Sequence, residues 1–172
     1  LRKLAAENNL DPNNVVFLFE EGPLVSSVKK TIANEDIYAI VMGTIGASGI
    51  SQAIIGTNTV NVIKNVTKPV LAIPTKAKFK PIDKVAFTTL FRDKDKPALQ
   101  EIVRISEKVP FDVYCVNVLN NPDYIADVLI AAEEWGKEYD NANLEFVFLE
   151  KEETVENTVN KFLAENKIDI LA

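Results

Sequence analysis

Three glycines and a threonine stand at two fixed gaps in this chain: Gly43, two residues, Gly46, nine residues, then Gly56-Thr57. They follow the apolar run 38–42 and open a segment, 58–66, with helical patterning. Glycine lets the backbone turn tightly and approach an anion with no Cβ in between. Free N–H groups at the start of the next helix then point at that anion, aided by the positive end of the helix dipole. The implied chemistry is phosphate binding by main-chain amides. The same glycines also suit tight turns and close helix–sheet packing, while Thr57 and Asn58 also suit helix capping. Both readings stand at this stage.

Other reactive groups are few. The chain has no histidine, which removes Ser-His-Asp catalysis, Cys-His catalysis and most zinc sites. Its one cysteine, Cys115, lies in the apolar run 111–118, cannot form an internal disulfide and suits a reducing compartment. Asp93, Lys94, Asp95 and Lys96 read as a solvated loop in which Asp95 caps the next helix. The acidic stretch 150–153 reads as a helix start, where carboxylates favour the dipole. Tyr124, Trp135 and Tyr139, at helical spacing, read as core or interface anchors. No general base, arginine finger or metal-holding carboxylate pair accompanies the glycines, and efficient phosphoryl transfer needs them. A binding protein, with no catalytic or metal-ligating set, is therefore expected.

The elements that must position the glycines alternate between strand and helix, which points to an α/β fold with a parallel sheet. After a helix end at 1–8, 15–19 reads as a strand. Pro23 opens a helix with Leu24, Val25, Val28 and Ile32 on one face. Strands are expected at 38–42 and 69–73, on either side of the glycine loop and its short helix. Past Pro74 come a strand at 84–89, a helix from Asp95 to 108, a strand at 111–118 and a helix opened by Asn121-Pro122. A strand at 144–149, a helix at 154–166 and a strand at 168–172 complete the series.

Charge separates two halves. Residues 1–78 carry a net +2 and 79–172 a net −8, within an overall −6. With no basic stripe, nucleic acid is not an expected partner. No run approaches the roughly 18 apolar residues of a membrane span, and no leader pattern opens the chain, which starts at Leu1. A cytoplasmic location, with no membrane partner, is the expectation. The halves also repeat at an offset of 130 residues: Phe19-Glu20 matches Leu149-Glu150, Val25 matches Val155, Ile32 matches Phe162 and Ile40-Val41 matches Ile170-Leu171. Residues 1–78 then read as the back part of one α/β domain, and 79–172 as the front part of its tandem copy, with segments expected beyond both ends. Complementation of the halves, within one molecule or between two, is the alternative.

The segment from Val41-Met42-Gly43-Thr44-Ile45-Gly46 through Gly56-Thr57 to Lys68-Pro69-Val70-Leu71-Ala72-Ile73-Pro74 resembles the universal stress protein family. That family carries G-x2-G-x9-G-[S/T] after a fourth strand, then a short helix and a K-P-V-L strand. The resemblance implies a doubly wound, Rossmann-like sheet of five parallel strands per complete domain, ordered 3-2-1-4-5. It also implies ATP or another adenine nucleotide, with or without Mg, at the strand carboxyl ends. Carried onto this sequence, Met42 and Gly43 line the ribose side, Gly46 lies under the phosphates and Gly56 with Thr57 closes on them. Ala47 follows the second glycine where triphosphate binders often have a polar or basic residue, and Ser48 can supply a hydroxyl. Val70, Leu71, Ala72 and Ile73 correspond to the family's dimer strand, which implies a homodimer or an intramolecular tandem pseudo-dimer. A stress-response sensor or regulator with an unidentified protein partner is the resulting expectation. The alternatives are a dimerising scaffold that binds no nucleotide and an ATP-using enzyme of the wider adenine-nucleotide-binding superfamily. In the second copy, the stretch facing adenine is Phe87-Thr88-Thr89-Leu90-Phe91, which contains no carboxylate.

Overall fold

The computed structural model describes residues 3, 7, 11–44, 56–140 and 142–172. The chain divides into two compact units, Leu1–Lys78 and Phe79–Ala172.

In the first unit a 3₁₀ turn, Pro12–Asn14, precedes helix α1 (Leu24–Asn34). Pro23 is its N-cap, with φ −64° already suited to the chain entering a helix. Val25, Val28 and Ile32 are half-buried, whereas Leu24 is largely exposed. Strands β1 (Ile40–Thr44) and β2 (Val70–Pro74) pair in parallel, with Met42 opposite Ala72 and Gly43 opposite Ile73. Helix α2 (Thr57–Asn65) connects them, buries Thr59 and Val62, and lies against both strands and α1.

Two expectations change here. Strand β1 begins at Ile40, two residues later than its apolar run suggests. The run 15–19 is not a strand at all: Val16 is 79% exposed and Phe19 is 87% exposed. A strand exists only through a ladder partner, and among the described residues this run has none. Of the helix end expected at 1–8, Lys3 and Glu7 are helical, and the remaining positions lie outside the described residues.

The second unit is a four-stranded, all-parallel sheet. Its strands are β3 (Lys84–Thr88), β4 (Asp112–Leu119), β5 (Leu144–Glu150) and β6 (Ile170–Leu171), ordered β5-β4-β3-β6. Counted within the unit, that order reads 3-2-1-4. Helices α3 (Lys96–Ser106) and α4 (Ile125–Glu138) cover one face: Leu99, Ala132 and Trp135 pack against Phe87, Val113 and Cys115. Helix α5 (Val155–Glu165) covers the other face, with Phe162 against Ala86 and Val116. Successive residues of β4 thus serve opposite cores, as the twofold strand repeat demands. A parallel strand clad on both faces reads as a continuous apolar run. Five of the eight residues of β4 are fully buried.

Local chemistry sets the ends. Thr154 caps α5 by accepting from the amide of Asn157 (3.0 Å), and Asn121 accepts from Asp123 (3.1 Å) in the 3₁₀ turn leading to α4. Asp95 does not cap α3 through its side chain, because its carboxylate turns back towards the preceding loop. The last strand is two residues long, not five. Just before it, Asp169 accepts from the amides of Asp83 (2.9 Å) and Lys84 (3.0 Å) and pairs with Lys80. The Lys80 ammonium, helped by those amides, holds the Asp169 carboxyl down at about 2. Trp135 is a core anchor, as its spacing suggests; Tyr139 packs at the edge of that core, while Tyr124 is 60% exposed and is not part of it.

Candidate phosphate-binding loop

The glycine segment leaves from the carboxyl end of β1 and returns at the start of α2. The strand end is pinned to its neighbour. Thr44, buried, donates its hydroxyl to the Ile73 carbonyl (3.3 Å), and Thr75 donates to the Thr44 carbonyl (3.1 Å). Met42 is half-buried on β1, and Gly43 is exposed. A Cβ added at Gly43 would meet nothing within 4 Å among the described residues, so neither packing nor backbone strain demands glycine there. Among the described residues, nothing fills the space before that backbone.

At the far arm, Gly56 is the N-cap of α2 in extended conformation (φ −61°, ψ 150°), and Thr57 is the first helical residue, exposed. Thr57 is therefore not the cap, which disposes of the capping alternative for its side chain. The first helical bond runs from Val60 N–H to the Gly56 carbonyl (3.1 Å), and among the described residues no side chain caps this end. Amides ahead of that bond have no intrahelical acceptor, and they carry the positive end of the dipole. Gly46 and Ser48 lie outside the described residues. The structure thus brings Met42 and Gly43 to a strand end and Gly56 and Thr57 to a helix start. Val70, Leu71, Ala72 and Ile73 form β2, which uses one edge for β1 and has no partner on the other among the described residues.

In the second unit, the stretch after β3 is closed by its own chemistry. Asp95 accepts from the Thr89 hydroxyl (3.1 Å) and from the amides of Leu90 (3.3 Å) and Arg92 (3.4 Å). Thr89 Oγ1 accepts from the Phe91 amide (2.8 Å), and Asn117 donates its side-chain amide to the Thr89 carbonyl (2.7 Å). The stretch has no carboxylate in sequence, yet the fold supplies one from Asp95, six residues beyond Thr89. No local sequence signal marks that arrangement, because it joins a loop, a 3₁₀ turn and a strand. Phe91 sits at φ 54°, a left-handed conformation, with its ring edge-on to Trp135 at 5.2 Å between centroids. Cys115 is fully buried, and burial pushes its thiol up to about 12, far from a nucleophile's range. Among the described residues, no group of three or more His, Cys, Asp or Glu could hold a metal ion. Nor is any of their helices long and apolar enough to cross a membrane.

Parallel strands, helices on both faces and a strand–glycine–helix passage define a doubly wound α/β protein of the Rossmann-like kind. Residues 1–74 match the model of the universal stress protein family, the segment that holds the glycine spacing. The fold is similar to that of a universal stress protein from Archaeoglobus fulgidus DSM 4304, with a TM-score of 0.64 at 20% identity. That likeness covers 91% of this chain and 56% of the other, so this chain spans little more than half that protein's length. No curated protein matches this chain.

Proposed function

We propose that this protein binds an adenine nucleotide, ATP or AMP with or without Mg, and acts as a stress-response sensor or regulator. One observation carries the reading: G-x2-G-x9-G-T runs from a pinned strand end to a helix start whose N-cap is a glycine. On this reading Met42 and Gly43 meet the ribose, Gly46 and Ser48 the phosphates, and Gly56 with Thr57 closes over them. The open space before Gly43 supports it, since a Cβ there would stand where a ligand must come close. So do the first amides of α2, which have no acceptor within their own helix. Signalling then runs through protein contacts and not turnover, with the free edge of β2 as the dimer strand, between two molecules or two tandem copies in the cytoplasm. Residues 1–78 and 79–172 are the corresponding parts of two such domains.

Calorimetry or thermal-shift titration of the full-length protein with ATP and AMP tests this, beside a Gly46→Val variant. A shift in the wild type that the variant loses supports the reading. Silence at millimolar nucleotide favours a dimerising scaffold, and a shift the variant retains moves the nucleotide elsewhere.

A further inference from the structure

We propose that the bond between Lys78 and Phe79 is a processing site, hydrolysed in the folded protein by a protease whose primary pocket takes a lysine side chain. Residues 75–81 are exposed without a break, and Phe79 is 101% exposed. A turn occupies Thr75 and Lys76, and the residues after it, up to Asp83, belong to no helix or strand. Among the described residues, Lys78, Phe79 and Lys80 make no backbone hydrogen bond. A protease must hold its substrate through those same main-chain groups, so an exposed stretch that leaves them unused is where a folded chain is cut. Hydrolysis breaks the Lys78 carbonyl–Phe79 nitrogen bond: water leaves a carboxylate on Lys78 and a new ammonium on Phe79.

The chain's other basic residues are shielded one by one. After Lys76 the next amide, on Ala77, donates to the Pro74 carbonyl (2.9 Å). Lys68, Lys80 and Lys96 each precede a proline, whose ring replaces the N–H at the bond to be cut. Lys151 is exposed, but it stands between Glu150 and Glu152, and the Glu152 amide donates to the Thr158 hydroxyl (3.1 Å). The amides that follow Lys94, Lys108 and Lys167 are bonded as well, and Arg92 leads straight into the 3₁₀ turn Asp93–Asp95. The remaining lysines and arginines beyond residue 10 lie inside helices or in β3, and residues 45–55 contain none. Lys78–Phe79 is also the boundary between the two compact units. One cut there leaves the glycine motif on residues 1–78 and the four-stranded sheet, with its Lys80–Asp169 pair, on 79–172. The inference stands apart from nucleotide binding.

Limited digestion of the full chain with trypsin, which takes lysine in its primary pocket, tests this by intact mass against time. The first internal cut is expected after Lys78, giving residues 1–78 and 79–172 while the fluorescence of Trp135 stays native. Lys78→Gln and Phe79→Pro should each slow the first internal cut at least about tenfold, because every other site must wait for local opening. Phe79→Pro keeps the lysine and so separates the bond from the charge. Urea below the unfolding transition should leave the wild-type rate unchanged, since no opening is needed. A first internal cut at any other residue overturns the proposal. So does a Lys78→Gln protein cut as fast as the wild type, at Lys76 or elsewhere, or a wild-type rate that climbs with urea in step with unfolding.

Discussion

Asp169→Asn should destabilise the second unit at neutral pH and leave it nearly unchanged in strong acid. Both amide bonds converge on one carboxylate oxygen, Oδ2, while Lys80 pairs with the other, Oδ1. An asparagine can keep its oxygen on the amides, so the substitution removes the charge and the lysine's partner. The carboxyl falls from its ordinary 3.8 to about 2, which corresponds to about 2–3 kcal/mol at neutral pH. Lys80 is 62% exposed, so water screens its share and about 1–2 kcal/mol is expected to remain. The sign follows from a depressed pKa: the contribution is complete above 3.8 and disappears as pH falls through about 2. Urea unfolding followed by the fluorescence of Trp135 is the assay. That residue is the chain's only tryptophan and lies 2% exposed in this unit. Thermal midpoints should separate by about 4–8 °C per kcal/mol at pH 7 for a unit of this size. A gap that persists unchanged at pH 2.5, or no gap at pH 7, refutes the reasoning.

Phe91→Ala should cost about 3–5 kcal/mol by removing a ring from the core. Phe91→Gly should be the milder of the two by about 1 kcal/mol, since only glycine adopts φ 54° without strain; urea midpoints in the opposite order would show that the loop relaxes. Cys115 should ignore a thiol reagent at pH 8 in the native protein and react fully in urea, because burial keeps it protonated; native labelling faster than unfolding would contradict that.

Much of the second unit can be read directly from its residues. The run 111–118 announces a doubly covered strand because both neighbours of β4 are present to complete it, and β4 spans Asp112–Leu119. At the 130-residue offset, Ile40 opens β1 and Ile170 opens β6. The same offset carries 15–19 onto β5, and there the outcomes part. One run finds β4 beside it and becomes a strand, while the other finds no ladder among the described residues. Side-chain alternation records a propensity, and pairing is a property of the neighbourhood. Around the glycine segment, residue types and spacing anticipate a strand ahead of it and a helix start just after Gly56, and the fold has both. Asp95 stands at the N-cap of α3 as its type suggests, but its carboxylate serves Thr89, Leu90 and Arg92, donors that reach it only once the chain has folded back on itself.

Val16, Phe17, Leu18 and Phe19 leave this protein with a handling problem. Among the described residues the peptide groups of this sticky ribbon lack a mate, and such a ribbon is where one molecule can stitch onto the next in a concentrated preparation. Glu20 and Glu21 follow it directly, and the first is tethered to Lys30 at 3.0 Å. These two acids act as gatekeepers at the end of that ribbon, and neutralising them would lower the concentration at which the protein begins to clump.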